Sequence, residues 1–157
     1  EKDYEIEKLR MQARQMEVSL LGKTGQDIKG TNEYGQPISL YDIKAPFTVI
    51  FIFSYDCGNC KKETPKLMKV YNEWKNKGMD VFSICIDGDK DKWKEYLKAH
   101  NMTFHNIFDP DNSTNFRAHY YFESTPGIFV LDKNHKIIAS GIGSESMPIL
   151  FNREMKK

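Results

Sequence analysis

Residues 48–53 are apolar on both alternations of a strand, and they lead directly into Cys57-Gly58-Asn59-Cys60 and an amphipathic helical pattern. A strand without a polar face has to be covered on both sides, which requires a sheet with material packed against each face. The segment after the cysteines places Leu67, Val70, Tyr71 and Trp74 at helical spacing and meets a stop at Lys77-Gly78. A second apolar run, residues 81–86, is followed by cap residues at 87–91 and by Trp93, Tyr96 and Leu97 on one helical face. Strand, helix, strand and helix in this order imply parallel neighbours joined by right-handed crossovers.

The second half changes style. Residues 104–108 read as a short strand, Asp109-Pro110-Asp111-Asn112 as a turn capping a short helix around 113–119, and Ser124-Thr125-Pro126 as a loop. Residues 127–131 and 136–140, separated by Asp132-Lys133-Asn134, form a hairpin pattern, and a final helix is expected over 144–156. Ahead of the first long strand, residues 21–40 are rich in Gly, Asn and Gln, and Tyr34-Gly35-Gln36-Pro37 is a turn signal. That stretch reads as a short hairpin or meander. Residues 3–16 are charged, with Ile6, Leu9, Ala13 and Met16 near helical spacing. This opening helix either docks on the domain or is the end of an upstream region, so the division expected is a helical segment over 1–20 and one domain over 21–157.

The charge balance excludes one class of partner. Twenty-three basic residues against 22 acidic ones, interspersed, leave no electrostatic footprint for nucleic acid. No apolar run is long enough to span a membrane. Three cysteines are too few for a disulfide scaffold and odd in number, so one thiol is left over. Cys85, between Ile84 and Ile86 in the second strand, is read as a small buried hydrophobe.

Cys57 and Cys60 stand three apart at a helix start, where free N–H groups and the helix dipole stabilise the thiolate of the first. Such a pair can close and reopen a disulfide. A zinc site needs two more ligands, and neither a second CxxC nor a close pair among His100, His105, His119 and His135 supplies them. A purely structural bridge would close so short a loop that it removes little chain entropy. No metal and no cofactor beyond the redox-active disulfide itself are expected.

A βαβ unit whose helix begins with CxxC, followed by Thr-Pro ahead of a hairpin and a terminal helix, resembles the thioredoxin fold. The string Cys57-Gly-Asn-Cys60-Lys61-Lys62-Glu63-Thr64-Pro65 resembles the CxxCxxExP signature of the TlpA/ResA-like thiol–disulfide oxidoreductases of the bacterial envelope. The likeness spans residues 21–155 and includes the Gly-Gln-Pro-Ile-Ser-Leu lead-in and Thr125-Pro126. It implies an α/β three-layer sandwich: a mixed sheet, made of a parallel βαβ unit and a C-terminal hairpin, flanked by helices and preceded by an N-terminal extension.

It further implies that Cys57 is the exposed attacking thiolate and Cys60 the buried resolving thiol. The Thr125-Pro126 bond would be cis and packed on the disulfide, with Thr125 and the neighbouring Tyr55 meeting the substrate peptide. Glu63 is a secondary candidate, either passing on the proton that Cys60 gives up or lying solvated among lysines. Pro65 removes one helical hydrogen bond and is architecture rather than chemistry. Partners would be protein thiols and disulfides and an upstream electron donor, with an envelope location, anchored through a segment upstream.

The chain also departs from the pattern. Thioredoxins have a buried Asp six residues before the first cysteine, where this sequence has Phe51, and the usual Trp before that cysteine is replaced by Asp56. Asp56 should disfavour the Cys57 thiolate, whereas Lys61 and Lys62 pull the other way. A moderately activated thiol and a reducing or intermediate potential are expected. The alternative is a thiol peroxidase, since Ser54 stands three before Cys57 as Thr or Ser does in peroxiredoxins. Their loop proline is Ile50 here, and Arg117 is the arginine at hand. A non-catalytic envelope binding module is the third reading. The aromatic group Phe116, Tyr120, Tyr121 and Phe122 reads as core and rim packing, partly beside the Thr-Pro loop.

Overall fold

The computed structural model describes residues 2–157. Helix α1 (Lys2–Ser19) leads in, with Ile6 and Leu9 exposed along it. A two-stranded antiparallel hairpin follows, β1 (Lys29–Thr31) with β2 (Pro37–Ser39). Its turn is fixed by the Asn32 carboxamide oxygen, which accepts from the N–H groups of Tyr34 and Gln36 at 3.0 and 2.9 Å.

The central sheet has five strands in the order β5-β4-β3-β6-β7. Strands β3 (Phe47–Phe53), β4 (Met79–Cys85) and β5 (His105–Phe108) are parallel, whereas β6 (Gly127–Leu131) pairs antiparallel with β3 and β7 (Ile137–Ser140) antiparallel with β6. Helix α2 (Gly58–Trp74) crosses from β3 to β4 and α3 (Lys90–Ala99) from β4 to β5. Helix α4 (Met147–Met155) closes the chain. Among the described residues, no helix is long and apolar enough to cross a membrane.

All seven residues of β3 are buried, and alternation sends them to two separate cores. Phe47, Val49, Phe51 and Phe53 pack with Leu67 and Trp74 of α2, Tyr96 of α3 and Phe151 of α4. Ile50 and Ile52 pack with Ile28, Leu40, Phe116 and Tyr120. Helices therefore supply the cover of one core, while the hairpin region and residues 116–120 supply much of the other. Leu67 is fully buried, so truncation to Ala would cost about 2–5 kcal/mol.

Several element boundaries differ from those read in the sequence, three of them at helices. Helix α2 ends at Trp74, and Gly78, with φ of 120°, shapes the turn into β4 against the Pro46 ring. The helix expected around 113–119 is a 3₁₀ turn over Phe116–Ala118. The Asp109 carboxylate takes up the N–H groups of Ser113 and Thr114, and Asn115 is left-handed with φ of 63°, so helical geometry cannot propagate through it. The last helix starts as a 3₁₀ turn, Ser144–Ser146, before α4 takes over.

Candidate active site

The carboxyl end of β3, beside that of β4, leads into a loop, residues 54–57, that turns into α2. Cys57 is the N-cap of that helix: the Cys60 N–H donates to Cys57 Sγ at 3.1 Å, and the Cys57 thiol donates to the Thr125 carbonyl at 3.4 Å. Cys57 is partly exposed and Cys60 fully buried, and both are free thiols. Burial works against the Cys57 thiolate, but hydrogen bonds with the side chains of Cys60 and Thr125 and with the backbone N–H groups of Cys60 and Asn59 outweigh it, holding the pKa below the usual thiol value.

Cys60 is the opposite case. Burial first, and then its hydrogen bond with Cys57, push its thiol up to about 12, against a lowering contribution from the Ser54 backbone. Burial likewise drives Cys85 up to about 12. The three sulfurs therefore divide into one whose surroundings favour the thiolate and two whose burial favours the thiol.

A buried hydroxyl pair meets the Cys60 backbone. Thr64 Oγ1 donates to the Cys60 carbonyl at 2.8 Å and lies 2.7 Å from the Tyr96 hydroxyl, which also reaches that carbonyl at 3.3 Å. Phe51 lies fully buried where thioredoxins place a carboxylate, stacked 5.5 Å from Phe53.

The Thr125-Pro126 peptide bond is cis, and both residues are partly exposed beside Cys57. Phe122 backs this loop. A Cβ on Gly127 would lie 2.9 Å from Phe122 Cγ, so only glycine admits that approach. Arg117 is exposed but not merely solvated, its guanidinium lying 5.0 Å from the Phe122 ring centre. Phe116 and Tyr120 are core residues.

Tyr55 and Glu63 stand next to the cysteines with their polar atoms already engaged. The Tyr55 hydroxyl accepts from the Asp89 N–H at 3.0 Å, with the Lys92 ammonium 5.9 Å from its ring centre. The Glu63 carboxylate accepts from the Ser144 N–H at 2.7 Å. That bond ties α2 to the start of the C-terminal helical segment and makes Glu63 a tether rather than the solvated residue that its lysine neighbours suggest.

One residue at this end escaped the sequence reading. Asp87, just past β4, accepts through Oδ2 from Ser54 Oγ at 2.6 Å and from the Tyr55 N–H at 2.7 Å. The signal available was register: Phe53 pairs with Cys85, which brings the two strand exits side by side. Among the described residues, no group of His, Cys, Asp and Glu is arranged to hold a metal ion.

Comparison with known proteins agrees with this arrangement. The AhpC/TSA family profile matches residues 21–140. The thiol–disulfide oxidoreductase ResA of Bacillus cereus is 25% identical over 126 residues, covering 80% of this chain and 72% of that protein. ResA of Bacillus subtilis is 24% identical over 115 residues, covering 72% and 63%. Among solved structures, a domain of a possible thiol-disulfide isomerase from Cytophaga hutchinsonii superimposes with a TM-score of 0.79 at 33% identity, over 87% of this chain and 94% of that one. The thioredoxin domain of a thiol-disulfide oxidoreductase from Bacteroides vulgatus gives 0.77 at 24% identity, over 85% and 96%, a likeness of fold. The chain belongs to the AhpC/TSA family and has the thioredoxin-like fold, and the relatives it resembles are thiol–disulfide oxidoreductases.

Proposed function

We propose that this protein is a thiol–disulfide oxidoreductase that acts on protein partners through Cys57 and Cys60, working as a reductase in the bacterial envelope. The observation that carries this reading is the asymmetry of the two sulfurs: Cys57 partly exposed with a lowered pKa, and Cys60 buried with a pKa of about 12. Cys57 thiolate attacks a sulfur of the substrate disulfide, and the displaced substrate sulfur leaves as a thiolate that takes up a proton. Cys60 then loses its proton to solvent and attacks Cys57 Sγ, which closes the Cys57–Cys60 disulfide and releases the second substrate thiol. Two electrons pass to the substrate, and an upstream thiol donor restores the dithiol. No metal or cofactor enters this scheme.

Thr125, Pro126 and Tyr55 border Cys57 and are the residues assigned to the substrate peptide. Glu63, whose carboxylate is engaged by Ser144, holds the motif helix in place, and its part in proton transfer is secondary. Residues 1–20 are assigned to a segment separate from the catalytic unit over 21–157, and the resemblance to envelope proteins supports attachment through an upstream region. The reductase direction rests on the Gly58-Asn59 dipeptide, which lacks the histidine of strongly oxidising relatives. A couple near the thioredoxin value of about −270 mV fits a reductase, and one near about −120 mV fits an oxidase.

The peroxidase alternative loses its main support in the geometry. The Ser54 hydroxyl, the residue matching the peroxiredoxin motif, donates to Asp87, and Arg117 stacks on aromatic rings. Insulin reduction measured beside peroxide consumption tests the assignment. Turnover of insulin without catalytic loss of peroxide is expected, and rapid peroxide consumption with sulfenic acid on Cys57 would overturn it.

A further inference from the structure

We propose that Asp87 is a positioning residue for both redox cysteines, acting through the Ser54–Tyr55 loop; this rests on the reading of Cys57 and Cys60 as the reactive pair. One carboxylate oxygen, Oδ2, receives both the Ser54 hydroxyl and the Tyr55 N–H, at 2.6 and 2.7 Å. Ser54 in turn serves each sulfur-bearing residue. Its carbonyl accepts the Cys57 N–H at 3.2 Å, its hydroxyl accepts the Asp56 N–H at 3.2 Å, and its backbone supports the Cys60 sulfur. The same strand exit is clamped twice more, by the Ile86 N–H donating to the Phe53 carbonyl at 3.1 Å and by the Asp89 N–H donating to the Tyr55 hydroxyl at 3.0 Å.

The consequence is geometric. Cys57 Sγ has to lie on the Cys60 N–H and the Thr125 carbonyl at once, and residues 54–56, which lead from β3 to the Cys57 cap of α2, belong to neither element. Asp87 fixes them from the neighbouring strand. Because both donors converge on one oxygen, an amide carbonyl at the same place can accept both, so asparagine is a near-isosteric replacement that removes charge but keeps the acceptor. Alanine removes both. Comparing Asp87→Asn with Asp87→Ala therefore isolates position from charge.

The test is the pH dependence of Cys57 alkylation by iodoacetamide, followed by peptide mapping in the full chain, alongside insulin reduction. Asp87→Ala is expected to slow insulin reduction by about ten-fold or more and to place the Cys57 alkylation midpoint above that of Asp87→Asn, which recovers most of the loss. Ser54→Ala, which deletes one of the two donors, is expected to fall between the parent and Asp87→Ala. It serves as the decisive variant if Asp87→Ala does not fold. Superimposable profiles for Asp87→Asn and Asp87→Ala overturn the assignment. So does a Ser54→Ala protein indistinguishable from the parent. A parent protein in which Cys57 is not the first thiol alkylated would instead overturn the reading of the reactive pair itself.

Discussion

At the carboxyl end of β4, Asp87 spends its carboxylate on the hydroxyl and N–H of a loop, leaving the sulfur that the loop carries open to solvent. Near the amino end of the same strand, Asp80 meets His105 Nε2 at 2.8 Å across to β5. Beside them the buried Asn106 carboxamide is fully engaged: its oxygen accepts from Ser83 Oγ, and its nitrogen's two hydrogens are shared among the Met102 and Phe104 carbonyls at 2.9 and 3.0 Å and Glu33 at 2.9 Å. One end uses polar groups to hold a reactive atom in place, and the other uses them to satisfy one another and to pin the β1–β2 hairpin to the sheet. The number of polar groups does not separate a site from a staple. What separates them is whether a nucleophile is left with room to react.

If this contrast is right, substitutions at the two ends should separate chemistry from stability. The largest effect belongs to the site: Cys57→Ser should lower insulin reduction by about a thousand-fold or more while leaving thermal unfolding near the parent, because the interaction lost is one made in the transition state. Substantial residual turnover would break the comparison. At the opposite end, Asn106→Ala strands a buried hydroxyl and two backbone carbonyls and should destabilise the fold by about 2–3 kcal/mol in urea titration. Cys57 alkylation in the folded protein should stay at the parental rate, and a marked change in that rate would show that the staple reaches the site.

The smallest effect comes from the ion pair. The hydrogen bond to Asp80 raises the His105 pKa above its ordinary value. A group whose pKa is raised on folding stabilises fully below its unfolded value, about 6.5, and loses that contribution as pH rises through the higher folded value. The stability gap between parent and Asp80→Asn should therefore be widest in mild acid and close in mild alkali. His105 is 41% exposed, so the gap should stay below about 1 kcal/mol and shrink with salt. A gap that widens with pH would contradict the pairing.

The sequence was most readable where one periodicity dominated. The doubly apolar run in β3, the helical spacing of Leu67 and Trp74, and the Asn-containing turn before β7 each had one physical solution, and the cysteine spacing pointed to the candidate site on that frame. Boundaries failed where the backbone left helical geometry, as at the left-handed Asn115 inside the helix expected over 113–119. Asp87 was hidden for another reason. In a run containing Asp87, Asp89 and Asp91, any acid reads as a helix cap, and only Asp89 is one. The true partner of Asp87 lies 33 residues away in a loop, which no local pattern reports. Glu63 was obscured in the same way, its acceptor role falling on Ser144, 81 residues downstream.

The central claim, that Cys57 attacks and Cys60 resolves, is tested most directly by trapping. With Cys60→Ser the mixed disulfide on Cys57 cannot be resolved from within, so a protein adduct should accumulate in cells and disappear on reduction, while Cys57→Ser should capture far less. Equal capture by the two variants, or capture that depends on Cys85, would contradict the account.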